Sequence, residues 1–230
     1  MYKNIKVIAF DADDTLWVNE PYFRDVEHEF AKLLAIYETE NKINQELFKK
    51  EMENLELYGY GVKGFVLSMI ESAIELSNNM ITASEIKKIL NFGKEMLNKP
   101  IELLDGVEEV LKILSDDYTI ILATKGDLLD QERKLEKSGL MKYFSHIEVL
   151  SDKKEKNYKR LIQFLKIHPS EFLMIGNSLK SDVLPLVNLN AEAIHVPYHT
   201  TWEHEKVSLN EENTNYKTVN SLKEILPYLI

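Results

Sequence analysis

The chain contains no cysteine, which excludes disulfides, thiolate catalysis and a cysteine-ligated metal. It lacks any apolar run near the roughly 18 residues of a membrane span. Its start shows no signal-like apolar stretch ending in small residues, because a strand pattern begins almost at once. A cytoplasmic location without a membrane partner is therefore expected. Positive charge is in deficit: 28 Lys and Arg stand against 38 Asp and Glu, a formal net charge of −10. That balance argues against a nucleic-acid partner, whose binding rests on neutralising phosphates with basic residues. An anionic substrate would need a local cation here, and a divalent metal beside the acids would supply one. Histidine is also scarce, and His195, His199 and His204 show no tight ligand spacing, so they are expected to be structural or surface residues.

What is present is ordinary globular composition, 44% hydrophobic and 29% charged over 230 residues, enough for one large domain or two modest ones. Five short apolar runs ending in small or polar residues are expected as buried strands: Ile5–Phe10, Tyr118–Ala123, His146–Leu150, Phe172–Ile175 and Ala193–Val196. Helical patterns separate the last four, which implies an α/β fold with a Rossmann-like parallel sheet. Gly139 marks a helix stop, and Pro185 sits near a helix start.

The interval from about Trp17 to Glu102 breaks this rhythm. Phe23, Val26, Phe30, Leu33, Leu34 and Tyr37 recur at helical spacing, as do Val62, Phe65, Val66, Met69, Ile70 and Ala73. Thr82-Ala83-Ser84-Glu85 has the form of a capping box, followed by Ile86, Ile89, Leu90 and Leu97 on one stripe. So long an interval exceeds a normal crossover. The expected organisation is a discontinuous core of residues 1–16 and 103–230 with an all-helical insert at 17–102. Asp105 is expected to cap the helix carrying Val110, Leu111 and Leu114, and 200–220 to be polar and irregular before a last helix at 221–229.

Four features carry chemistry. Asp11, Asp13 and Thr15 directly follow the first apolar run, and like charges at a buried strand's end need a cation or hydrogen bonds to compensate them. A carboxylate can attack a phosphoryl group to form an aspartyl-phosphate, and a second one two positions along can exchange the protons. Strict strand alternation would put positions 11 and 13 on the same side. Thr124 ends the second run, where a hydroxyl and main-chain N–H groups can hold phosphate oxygens; taken singly, it is a helix-capping threonine. Lys125 beside it, and Thr15, are further candidates for contacting the substrate. Lys153, Lys154 and Lys156 follow the third run, and Lys153, nearest the strand's end, is favoured to stabilise transition-state charge. Asn177, Ser178 and Asp182 follow the fourth run as oxygen ligands for magnesium, with Ser178 better suited to a helix cap. The ends of four strands of one parallel sheet share one edge. Tyr58, Tyr60 and Lys63, set between Gly59, Gly61 and Gly64, are the insert's candidates for contacting a substrate, against the plainer reading of an interhelix turn.

These residues resemble, in order and over the whole chain, the four motifs of the haloacid dehalogenase-like hydrolase superfamily, and the helical insert resembles its type 1 cap. The resemblance implies that Asp11 is nucleophile and Mg²⁺ ligand. It implies that Asp13 is general acid/base with its main-chain carbonyl on the metal, and that Thr124 and the lysine hold the phosphate. Many phosphatases of that superfamily carry Asp where Asn177 stands here. Either Asn177 coordinates through its amide oxygen or Asp182 takes over, and weaker Mg²⁺ binding follows. The activity implied is a Mg²⁺-dependent phosphatase of a small phosphorylated metabolite. Phosphomutation, 2-haloacid dehalogenation and non-catalytic phosphate binding are the alternatives. Dehalogenases of this layout generally lack the acid corresponding to Asp13, which favours phosphoryl chemistry.

Overall fold

The computed structural model describes residue 2, residues 4–207 and residues 216–230. Its centre is a parallel sheet in the order β3-β2-β1-β4-β5-β6. The strands are β1 (Val7–Phe10), β2 (Thr119–Lys125), β3 (His146–Leu150), β4 (Phe172–Gly176), β5 (Glu192–His195) and β6 (Lys217–Thr218). β1 is buried along its whole length and pairs with β2 on one side and β4 on the other. A strand covered on both faces is expected to be apolar at every position, as Val7-Ile8-Ala9-Phe10 is.

Alternation divides those four residues between two cores. Ile8 and Phe10 join Ile120, Leu122, Leu173 and Ile175 under α5 (Val107–Leu114), with Leu222, Ile225 and Leu229 closing the same face. Val7 and Ala9 join Ile121, Ala123, Phe172 and Met174 against Tyr158, Leu161 and Ile162 of α7 (Glu155–Leu165). The sheet therefore holds β1 rigidly and carries its last residue to the carboxyl edge.

Two compact units emerge. The first comprises Met1–Glu20, Ile101–Lys125 and Gln131–Ile230, and the second Pro21–Pro100 with Gly126–Asp130. Trp17 to Glu20 thus group with the sheet, and Gly126–Asp130 with the helical unit, unlike the expected division at 16 and 103. The helical unit packs α1 (Glu20–Leu34), α2 (Glu40–Tyr58), α3 (Val62–Leu76) and α4 (Ala83–Asn98) around Phe30, Leu34, Ile43, Leu47, Phe65, Met69 and Ile89. The Thr82 capping box is complete: Thr82 Oγ1 accepts from Glu85 N–H and Glu85 Oε2 accepts from Thr82 N–H. Leu90, expected on the apolar stripe, is instead 42% exposed.

Three further expectations change. Asp105 does not cap α5; Gly106 holds that position at φ 76°, and Asp105 pairs with Lys223 at 3.3 Å. β6 is a strand of two residues inside the stretch expected to be irregular, of which 208–215 lie outside the described residues. The last helix is a 3₁₀ turn, Leu222–Ile225, that passes into α9 (Leu226–Leu229), after α6 (Leu128–Ser138) and α8 (Leu184–Asn188) earlier in the chain.

Candidate active site

β1 stops at Phe10, but Asp11 N–H still donates to Ile175 O of β4 at 2.9 Å, so the sheet fixes its main chain. The backbone then turns sharply. Ala12 O accepts from Leu16 N–H at 2.8 Å, Trp17 O accepts from Asp14 N–H at 2.8 Å, and Asp14 takes φ 62°. The segment from Asp11 to Trp17 is thus a turn rather than a strand, and the alternation argument does not apply to it. Asp11 and Asp13 are held by different partners.

Asp11 lies in a buried cluster. Lys153 Nζ donates to Asp11 Oδ1 at 2.5 Å and to Asp182 Oδ1 at 2.6 Å, and Thr15 Oγ1 stands 3.0 Å from Asp11 Oδ2. The Lys153 side chain is 1% exposed, whereas Lys154 is 71% exposed and pairs with Asp152. Of the candidate lysines, Lys153 is the one brought to Asp11. Burial pushes the Asp11 carboxyl up to about 7, with Lys153 opposing and Asp182 adding to the rise. For Lys153, burial favours the neutral amine, but Asp11 and Asp182 outweigh it and raise its pKa. Lys153 is therefore kept charged inside the protein, while burial works against the ionised form of Asp11.

Asp13 is satisfied by three donors: Trp17 Nε1 at 2.7 Å, Gln131 Nε2 at 2.8 Å and Lys134 Nζ at 2.9 Å. Burial alone would raise its pKa, yet Lys134 and the hydrogen bonds hold it below the ordinary carboxylate value. Gln131 and Lys134 are three residues apart on α6, hence on one helix face. Nothing in their local pattern separates them from the other charges of that helix. Asp14 is a helix cap, accepting from Asn19 N–H at 2.8 Å and Glu20 N–H at 3.0 Å at the start of α1. Burial pushes it up to about 8.

Thr124 is buried at the end of β2, and its hydroxyl donates to Lys125 O at 3.1 Å. The cap of α6 comes from Asp127, whose Oδ1 accepts from Asp130 N–H, so Thr124 is not a helix cap. Register pairs Phe10 with Leu122, which carries Thr124 to the same edge as Asp11. Asn177 N–H donates to Thr15 Oγ1 at 3.1 Å, and Asn177 Oδ1 lies 3.3 Å from that oxygen. A hydroxyl has one proton, so Thr15 serves either Asp11 Oδ2 or Asn177 Oδ1 at a given moment. Asp182 has both oxygens engaged, one on Lys153 and the other accepting from Ser178 N–H at 3.0 Å. Ser178 Oγ accepts from Ser181 N–H as the expected cap. His195 Nε2 contacts Asn177 O at 3.0 Å, a structural role for that ring.

Lys125 is drawn into a cluster that the sequence did not reveal. Its Nζ donates to Glu205 Oε1 at 2.6 Å and to Ser181 Oγ at 2.9 Å. In the helical unit, Tyr58 ends α2, Gly59, Tyr60 and Gly61 form the turn, and Lys63 lies in the first turn of α3, with Gly59 at φ 72° and Gly61 at φ 106°. Tyr58 donates to Glu71 at 2.7 Å, and Lys63 pairs with Asp127 at 2.8 Å; Tyr60 is half-buried there. Among the described residues no group of three or more Asp, Glu or His side chains converges as a metal cage.

Comparison with known proteins completes the picture. N-acylneuraminate-9-phosphatase of Mus musculus is 26% identical over 135 residues, covering 56% of this chain and 52% of that protein. The chain thus spans about half the length of this relative. A haloacid dehalogenase-like family hydrolase from Xanthomonas campestris is 37% identical, covers 98% of this chain and 90% of its own, and superposes with a TM-score of 0.87. The HAD-hydrolase YfnB of Bacillus subtilis, whose crystal structure is bound to magnesium, shares the fold at 16% identity and a TM-score of 0.64, with 98% and 99% of the two chains covered. The family model for haloacid dehalogenase-like hydrolases matches residues 5–190, from the start of the sheet past Asp182, and the chain belongs to that family.

Proposed function

We propose that the chain is a Mg²⁺-dependent phosphatase that hydrolyses a small phosphorylated metabolite through an aspartyl-phosphate on Asp11. The observation that carries this reading is the division of labour after β1. One carboxylate is buried against an ammonium, and a second, two residues on, sits in a separate network of proton donors. The phosphatase named among the relatives and the magnesium bound to YfnB are consistent with it.

In this reading Asp11 attacks phosphorus, and the bond to the leaving oxygen breaks as the new one forms. Lys153 and Thr124 hold the phosphoryl oxygens. Asp13 protonates the departing oxygen, then takes a proton from the water that cleaves the aspartyl-phosphate, releasing orthophosphate and restoring Asp11. Its ionised state beside Lys134 suits the second step. The proton it takes from that water is the one it gives to the next leaving oxygen, the first being drawn from solvent.

The donor set fits a hard cation. Asp11 Oδ2 and Asn177 Oδ1 converge on one hydroxyl that satisfies a single acceptor. Magnesium uses few protein oxygens and several waters. Asp11, the main-chain carbonyl of Asp13 and Asn177 would hold it, while Asp182, with both oxygens engaged, positions Lys153 instead. The edge also has a charge deficit: Asp11, Asp13, Asp182 and Glu205 face Lys153, Lys125 and Lys134, one acid in excess. When bound, the cation would supply the positive charge that lets a phosphate dianion approach Asp11.

The test is orthophosphate release from a panel of phosphorylated metabolites with Mg²⁺, using Asp11→Asn as control. Turnover by the wild type and its loss in a variant that remains cooperatively folded are expected. Retained turnover in Asp11→Asn, or halide release from 2-chloropropionate without metal, would overturn the assignment.

A further inference from the structure

Glu205 is a largely buried carboxylate that the proposed chemistry does not use. Its side chain is 12% exposed, and both oxygens are engaged by donors from two different strand ends. Oε1 accepts from Lys125 Nζ at 2.6 Å, and Oε2 accepts from Ser178 Oγ at 2.5 Å and Ser181 Oγ at 2.6 Å. Ser178 and Ser181 are themselves more than nine-tenths buried. Lys125 ends β2 and the serines follow β4, the two strands that flank β1. A carboxylate bridging them therefore stands beside the end of β1, where Asp11 emerges. The link to the site is short: Ser178 N–H donates to Asp182, which accepts from Lys153, which donates to Asp11.

One ammonium and two hydroxyls arranged around a carboxylate make a receptor for an oxyanion, and charge-assisted hydrogen bonds of this kind are strong and geometrically selective. We propose that Lys125, Ser178 and Ser181 form an oxyanion subsite bordering the catalytic edge, and that Glu205 fills it and so excludes ligands carrying a carboxylate next to the phosphoryl group. Glu205 is then a specificity-determining residue. It neutralises Lys125, and its own charge repels a second carboxylate. The low pKa of Glu205, pushed down to about 2 because Lys125 and the hydroxyls overcome the opposing burial, agrees with a site built for an anion. This inference rests on the phosphatase reading for the location of the phosphoryl group.

Phosphonoacetate and ethylphosphonate differ by one carboxylate, are not hydrolysed, and separate the two ideas by calorimetry in the presence of Mg²⁺. In the wild type, phosphonoacetate should bind no tighter than ethylphosphonate. In Glu205→Ala, which vacates the subsite, phosphonoacetate should gain about tenfold while ethylphosphonate stays within about twofold, as expected for one new charge-assisted contact. The gain should vanish in Lys125→Met/Glu205→Ala. An unchanged ratio of the two dissociation constants in folded Glu205→Ala overturns the inference alone. Failure of both ligands to bind any of these proteins overturns the phosphatase reading and the inference with it.

Discussion

Replacing Lys153 by methionine isolates the physics of the buried cluster. The ammonium bridges Asp11 and Asp182, whose side chains are 9% and 1% exposed, and it is the only cation in contact with either among the described residues. Methionine preserves the volume and the apolar stem, so packing is nearly unchanged and the effect is electrostatic. Two carboxylates would be left in low dielectric, with neutral donors, the Thr15 hydroxyl, Ser178 N–H and Tyr158 among them, in place of a cation. Removing one partner of a buried ion pair costs about 3–5 kcal/mol, a large share of the roughly 5–15 kcal/mol that holds a protein folded. Neutralising Asp182 removes one of the two unpaired charges, so Lys153→Met/Asp182→Asn is expected to recover about half of the loss. Activity should not return with stability, because the charge facing the phosphoryl oxygens is still missing. Urea unfolding followed by the fluorescence of Trp17, fully buried in the sheet unit, reads the first quantity, and orthophosphate release reads the second. A loss below about 1 kcal/mol in the single variant, or no recovery in the double, would refute the reasoning.

Other consequences follow from separate parts of the molecule. Glu205 is held at about 2 against an ordinary 4.5, so its stabilising contribution is complete above 4.5 and disappears as pH falls through 2. At one pKa unit per 1.36 kcal/mol this is about 3 kcal/mol, and Glu205→Gln should flatten the decline in unfolding free energy between pH 5 and 2. A methyl group at Gly93 would sit 2.3 Å from Val66 Cγ2 between α3 and α4. Gly93→Ala should therefore destabilise the helical unit by about 1–3 kcal/mol, measured by denaturant unfolding. Asn177→Asp adds an anionic oxygen to the proposed metal ligands and should tighten Mg²⁺ about tenfold by calorimetry. Unchanged affinity would remove Asn177 from that set.

Much of the sheet was legible because a parallel strand buried on both faces must be apolar, and β1, β2 and β4 each have such a run, whereas β3 and β5 are only partly buried and mix polar residues with apolar ones. The insert was legible for the complementary reason: apolar residues recur at helical spacing from Phe23 to Leu97 with no strand pattern between. β6 was not, because two residues, Lys217 and Thr218, carry no period and pair only where β5 presents an edge. Asp105 looked like a cap in one dimension, but the helix begins from a left-handed Gly106 packed beside Lys223.

The candidate site divides along the same line. The acids at 11 and 13 were conspicuous in the sequence, since carboxylates rarely end a buried strand without a partner. Which lysine of three reaches Asp11, that Asp182 is consumed by that lysine, and that Asp13 belongs to Trp17, Gln131 and Lys134 depend on contacts between residues up to 142 positions apart. Glu205 lay in a polar stretch with nothing local to mark it. Periodicity and composition report the environment of a segment, and so they define strands, helices and the edge where strands end. Partner choice at that edge is a matter of ångströms between distant segments, and only the packed sheet supplies it.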